Sequence, residues 1–142
     1  MVLTTRVWTR DNALISECLA VSLQRLKSGY KLSRIGYVWC REQSRSSTQH
    51  YHLALMLDGS KVQYPAKLFD LISEVWHALC QGRVCWPKRC YYAFHRSDSE
   101  TLCQVIYRLS YFAKVRTKDR TPKWISRFGA SRLKQHCLSS CG

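Results

Sequence analysis

The hydrophobic pattern changes period along this chain, and each change marks an element. Leu14, Ile15, Cys18, Leu19 and Leu26 recur at helical spacing, predicting a helix capped by Asp11, running to about Lys27 and stopped by Gly29. From Lys67 to Cys80 the same period returns in Leu68, Leu71, Ile72, Val75, Trp76 and Leu79, with Gly82 as the expected stop. A third helix is predicted from Asp98 to about Val115, opened by the capping box Ser97-x-x-Glu100. Between the helices the runs are short and bounded by turn residues, the signature of strands. Strands are predicted at 33–42 and 49–57, joined by a polar loop around Ser44–Ser47, and at Cys90–His95. Residues 2–8 form a poorer one.

The resulting order, strand-helix-strand-strand-helix-strand-helix, matches a split βαβ sheet. The expected fold class is therefore α+β and ferredoxin-like, with a central antiparallel sheet flanked by helices. A chain of 142 residues with 46% hydrophobic content and five tryptophans is expected to form one domain, 1–142, with 116–142 as a basic C-terminal extension. No segment approaches the ~20 apolar residues of a membrane span, and no signal core precedes the first strand. The expectation is a soluble cytoplasmic protein without a membrane partner.

The candidate chemistry starts in Gln49-His50-Tyr51-His52-Leu53-Ala54-Leu55-Met56-Leu57, which ends at the turn pair Asp58-Gly59. Side chains alternate across a strand, so both imidazoles share one face, about 7 Å apart along the backbone, and are able to share a metal. Glu42 ends the preceding strand. In an antiparallel hairpin pairing it with His50, opposite Cβ atoms sit about 5 Å apart, which makes its carboxylate a natural third ligand. Two imidazoles and a carboxylate suit a divalent ion, Mn²⁺ or Mg²⁺, with positions left open for substrate.

On the third helix, Leu102, Val105, Ile106, Leu109 and Phe112 form one stripe, and Tyr107, Tyr111, Lys114 and Lys118 form the opposite one. A stripe packed flat on the sheet would turn the tyrosines away from the metal. The helix is therefore expected beside the histidine strand, or with its stripe buried elsewhere.

Four segments carry a resemblance to the HUH endonucleases that initiate rolling-circle replication. They are Gly36–Gln43, the histidine strand, Tyr107–Lys114 and Arg127–Ser131. Within that superfamily the chain is similar to the replication initiators of filamentous phages (inoviruses) and to the YagK/YfjJ C-terminal domain of prophages. The resemblance implies a metal site on His50 and His52 with Glu42, and a Tyr-x-x-Lys nucleophile at Tyr111 with Lys114. The doubled pattern of some phage initiators is not kept, because Val115 stands at the second tyrosine position. Tyr107 is the only other candidate nucleophile. The implied activity is nicking and rejoining of single-stranded origin DNA through a 5′-phosphotyrosyl link in a bacterial host, with a host replication helicase as a further partner. The family pattern also implies more chain ahead of the first strand, so a domain lacking N-terminal sequence is expected. The alternatives are an HUH transposase, disfavoured by the phage-like segments, and a non-catalytic DNA-binding regulator or decayed prophage product.

The net charge of +14 points to a polyanionic partner. From Lys114 to Lys134 the basic residues are Lys114, Arg116, Lys118, Arg120, Lys123, Arg127, Arg132 and Lys134, against the single acid Asp119, with Trp124 and Phe128 interleaved. Arg41, Arg116, Lys118, Arg120, Lys123, Trp124 and Arg127 are the expected nucleic-acid contacts, cations on phosphates and aromatics on unpaired bases. Eight cysteines without a secretion signal are expected to be reduced thiols. A zinc site at His77, Cys80, Cys85 and Cys90, or at His136, Cys137 and Cys141, is disfavoured because neither set has a Cys-x-x-Cys knuckle.

Overall fold

A computed structural model describes residues 1–6, 8–43, 49–113 and 122–133. The elements run β1 (Val2–Thr4), α1 (Ala13–Tyr30), β2 (Gly36–Gln43), β3 (Gln49–Met56), α2 (Ala66–Cys80), β4 (Arg83–Cys85), α3 (Ser99–Ser110), a short 3-10 turn (Tyr111–Ala113) and β5 (Phe128–Ala130). The strands form one sheet in the order β4-β1-β3-β2-β5, every neighbouring pair antiparallel. The first four strands with α1 and α2 make the ferredoxin-like split βαβ arrangement, and β5 adds a further edge beside β2.

Alternation along the strands gives the sheet two unlike faces. Leu3, Trp39, Tyr51 and Leu53 join Ile15, Cys18, Leu19 and Leu26 of α1 and Leu68, Ile72, Val75 and Trp76 of α2 in the buried core. Trp39, Tyr51 and Trp76 stack edge to face through it, with ring centroids 5.9 and 6.0 Å apart. The intervening residues Glu42, His50 and His52 therefore point away from α1 and α2.

The stops of the first two helices differ from the sequence reading. Gly29 lies inside α1, and the left-handed cap residue is Lys31 (φ 51°), whose N–H bonds the Lys27 carbonyl. The first cap is likewise one residue on: Asn12 occupies the N-cap position, and the Asp11 carboxylate accepts from the Ala13 N–H at 3.0 Å. Gln81 (φ 52°) caps α2, and Gly82 is needed for a different reason. A Cβ there would lie 2.2 Å from the Thr4 carbonyl oxygen and 2.5 Å from Trp76 Nε1, two groups already joined by a 2.9 Å hydrogen bond. Only a residue without a side chain lets α2 turn into β4 against β1.

Three further expectations are corrected. The fourth strand is Arg83–Cys85, while Cys90–His95 has no regular structure. β1 offers only three residues, and they are taken up by Cys85, Val84 and Arg83. The segment at 88–92 instead receives the Arg108 guanidinium, which donates to the carbonyls of Lys88 and Arg89 and to the Tyr92 hydroxyl. The cap of α3 is Asp98, which accepts from the Thr101 N–H at 3.0 Å, whereas Ser97 is paired with His95 Nδ1. Among the described residues of 2–8 the strand is Val2–Thr4, and Val7 and the loop at 44–48 lie outside the described residues.

Candidate functional site

The β2–β3 hairpin sets Glu42 opposite His50 and Cys40 opposite His52. Strand alternation then brings three side chains together on the face away from α1 and α2. Glu42 Oε2 lies 3.2 Å from His50 Nε2 and 3.1 Å from His52 Nε2, so one carboxylate oxygen serves both imidazoles. The rings stand 5.3 Å apart at 66°. One potential ligand atom from each of the three residues lies within 4.8 Å of the others, the separation of groups able to hold a metal ion. Among the described residues this is the one such grouping, and the His77, Cys80, Cys85 and Cys90 run does not converge on another. The second cysteine set, around His136, lies outside the described residues.

The donor set fits a divalent cation on two observations. The Glu42 side chain is only 5% exposed, and its second oxygen, Oε1, is buried with no hydrogen-bond partner among the described residues. A buried carboxylate oxygen left unpaired is costly unless a cation or donor reaches it. Burial, the largest influence, also lowers the pKa of His52 below its ordinary 6.5, against the pull of Glu42 towards protonation. The ring is thus kept in the neutral form that ligates metal.

Tyr111 reaches this centre through an unexpected geometry. No residue of α3 is buried, and Leu102 and Ile106 of its apolar stripe are 39% and 57% exposed. The stripe does not pack flat on the sheet. At Tyr111 the helix tightens into the 3-10 turn, and the turn brings two consecutive rings to His52: Tyr111 at 5.9 Å and Phe112 at 5.7 Å between centroids. Phe112, expected to be part of a core stripe, is a neighbour of the candidate metal ligands. Tyr107, one turn earlier, is 83% exposed and makes no ring contact with the pair among the described residues.

The expected nucleic-acid residues divide. Lys114, Arg116, Lys118 and Arg120 lie outside the described residues. Lys123 and Trp124 are exposed, Trp124 by 81%, and Arg127 is half-buried with its carbonyl accepting from the Arg41 N–H at 2.8 Å. Arg41 is not a surface contact. It is fully buried, and its guanidinium donates to the carbonyls of Thr9 and Asp11 and to the side chains of Asn12 and Gln49. Alternation carries the signal for this. If Glu42 faces the metal site, Arg41 must face the helices, where it pins the start of α1 to the sheet.

The model of the YagK/YfjJ C-terminal domain matches residues 10–131, a span that takes in the hairpin, Tyr111 and β5. Comparison with curated proteins and with solved structures yields no match. No helix among the described residues is long and apolar enough to cross a membrane. With its match covering most of the sequence, the chain belongs to the YagK/YfjJ C-terminal domain family.

Proposed function

We propose that this domain is an HUH-type endonuclease and strand transferase that nicks single-stranded origin DNA to initiate rolling-circle replication of a phage or prophage. The observation that carries the reading is the Tyr111 ring beside His52, at the edge of the Glu42–His50–His52 cluster. A nucleophile with its own oxygen needs no metal-bound water. The Tyr111 phenol loses its proton and attacks the phosphorus. A tyrosyl O–P bond forms to the 5′ side, the P–O3′ bond breaks, and the departing oxygen takes up a proton in place of the one the phenol gave to solvent, leaving a 3′-hydroxyl that primes synthesis. A divalent ion on His50, His52 and Glu42, Mn²⁺ or Mg²⁺ by donor type, would polarise a non-bridging phosphate oxygen. Tyr111 is half exposed (51%), while burial of Glu42 keeps the carboxylate from competing water. Lys114 enters from the sequence, three residues on, as a charge to favour the phenolate and the transferring phosphate.

The test is a covalent one. Labelled single-stranded origin DNA incubated with the protein and Mn²⁺ should give an adduct that survives a denaturing gel and disappears with EDTA. DNA binding that ignores EDTA, with no adduct, would make the domain a non-catalytic DNA-binding regulator instead.

A further inference from the structure

One edge of the metal-bearing face ends in an exposed aromatic that the chemistry above does not use. Phe128 of β5 pairs with Cys40 of β2, and Cys40 pairs with His52 of β3. The three residues form one row across the sheet, and paired side chains lie on the same face. Two strand spacings put the Phe128 backbone about 10 Å from that of His52. Its ring is 46% exposed although the strand that carries it is rigidly seated. A Cβ on Gly129 would lie 2.4 Å from the Trp39 ring, so β5 is pressed against the core at that residue. On either side, the Arg127 carbonyl accepts from the Arg41 N–H, and the Ser131 N–H donates to the Tyr37 carbonyl at 3.0 Å. The result is a fixed apolar ring beside the candidate centre, in a segment whose charged residues, Lys123, Arg127 and Arg132, are all cationic.

We infer that Phe128 is a stacking platform for an unpaired base of the bound DNA strand, next to the phosphate held at His50 and His52. Charge selects the occupant. An apolar protein partner would gain from the ring but not from the surrounding cations, whereas a single strand offers both a phosphate track and π faces. A base pair cannot offer the same face without unstacking, so the platform also favours single strands over duplex. This deepens the nuclease reading, but stacking itself requires neither the metal nor Tyr111 chemistry.

The experiment is a fluorescence titration in EDTA, using a short oligonucleotide carrying 2-aminopurine, single-stranded or annealed, with full-length wild-type, Phe128→Ala, Phe128→Leu and Phe128→Trp proteins. Thermal melts check that all variants are folded. Phe128→Ala should weaken single-strand binding about tenfold or more and abolish quenching of the probe. Phe128→Trp should restore both, Phe128→Leu neither, and duplex affinity should change little. Equal binding by the Ala and wild-type proteins overturns the inference. So does rescue by Leu, which would mark an apolar contact without stacking, and so does the absence of single-strand binding by the wild type. An aromatic-dependent response with no covalent adduct under Mn²⁺ would leave the platform standing and remove the nuclease reading; the opposite pair of results would do the reverse.

Discussion

Replacing Glu42 by Gln isolates the metal site from every question of catalysis. The change keeps the shape of a side chain that is 5% exposed and removes the one negative charge among the three ligands. Without metal the cost is small. Both contacts, at 3.1 and 3.2 Å, run to the same oxygen, Oε2, and an amide oxygen in its place still accepts but carries no charge, a loss of about 1 kcal/mol. With metal the effect is larger. An ion bound only to the folded state adds about 2.7 kcal/mol at a concentration one hundred times its dissociation constant. In a chain of this size that raises the melting temperature by roughly 8–12 °C. Loss of partners that merely orient ligands costs 10- to 100-fold in affinity, so loss of a direct anionic ligand should cost ~10² or more. At the same ion concentration the variant would then gain only about 0.4 kcal/mol, a shift of roughly 1–2 °C. The assay is a series of thermal melts with Mn²⁺ titrated against EDTA for the wild type, Glu42→Gln, His50→Ala and His52→Ala. A shift of wild-type size in all three variants would refute the metal assignment, as would a wild type that does not respond to Mn²⁺ at any concentration.

Tyr111→Phe should leave folding and metal-induced stabilisation intact but abolish the covalent DNA adduct, whereas Tyr107→Phe should keep most of it; a denaturing gel decides, and a dead Tyr107 variant would place the nucleophile one turn away. Gly129→Ala forces a Cβ to within 2.4 Å of the Trp39 ring and should destabilise the fold by about 1–3 kcal/mol, read as a lower urea midpoint. Arg41→Met should cost about 3 kcal/mol because Thr9, Asp11 and Gln49 lose their shared donor, and the salt dependence of DNA binding should not change. In EDTA, stability should fall as pH drops below 6.5, since the unfolded His52 takes up a proton before the folded one does. The loss should level off below the lowered folded value and be absent in His52→Asn, as measured by urea midpoints between pH 7.5 and 5.

The centre of the fold was legible because its signals are local. The histidine strand ends at Asp58-Gly59, and the hairpin register that sets Glu42 against His50 follows from the alternation of both strands. What escaped depends on partners distant in sequence. Arg83–Cys85 is too short to show a period and is a strand only because three residues of β1 need a neighbour. Cys90–His95 has the composition of a strand, but the edge of β1 is taken by Arg83–Cys85. Helical projection set Tyr111 and Phe112 on opposite stripes of one α-helix. The tightening at Tyr111 breaks that projection, and His52 meets both. Phe128 reads from the sequence only as one of two aromatics interleaved in a basic run, since nothing near it in sequence tells that Gly129 rests on Trp39.

The position of the hairpin within the sheet gives the two halves of the site different lifetimes. β3 is bonded on both sides, by β1 and β2, and β2 by β3 and β5. The backbone under His50 and His52 therefore exchanges its amide protons only when neighbouring strands separate, in openings that approach global unfolding. Tyr111 sits on a turn at the end of a helix that buries none of its residues, so its opening costs far less. Local opening is therefore expected to free Tyr111 well before it disturbs Glu42, His50 and His52. On the proposed reaction, in which Tyr111 would hold a DNA end and later give it back, the tyrosine could swing away on its turn without loosening the hairpin of the candidate metal site.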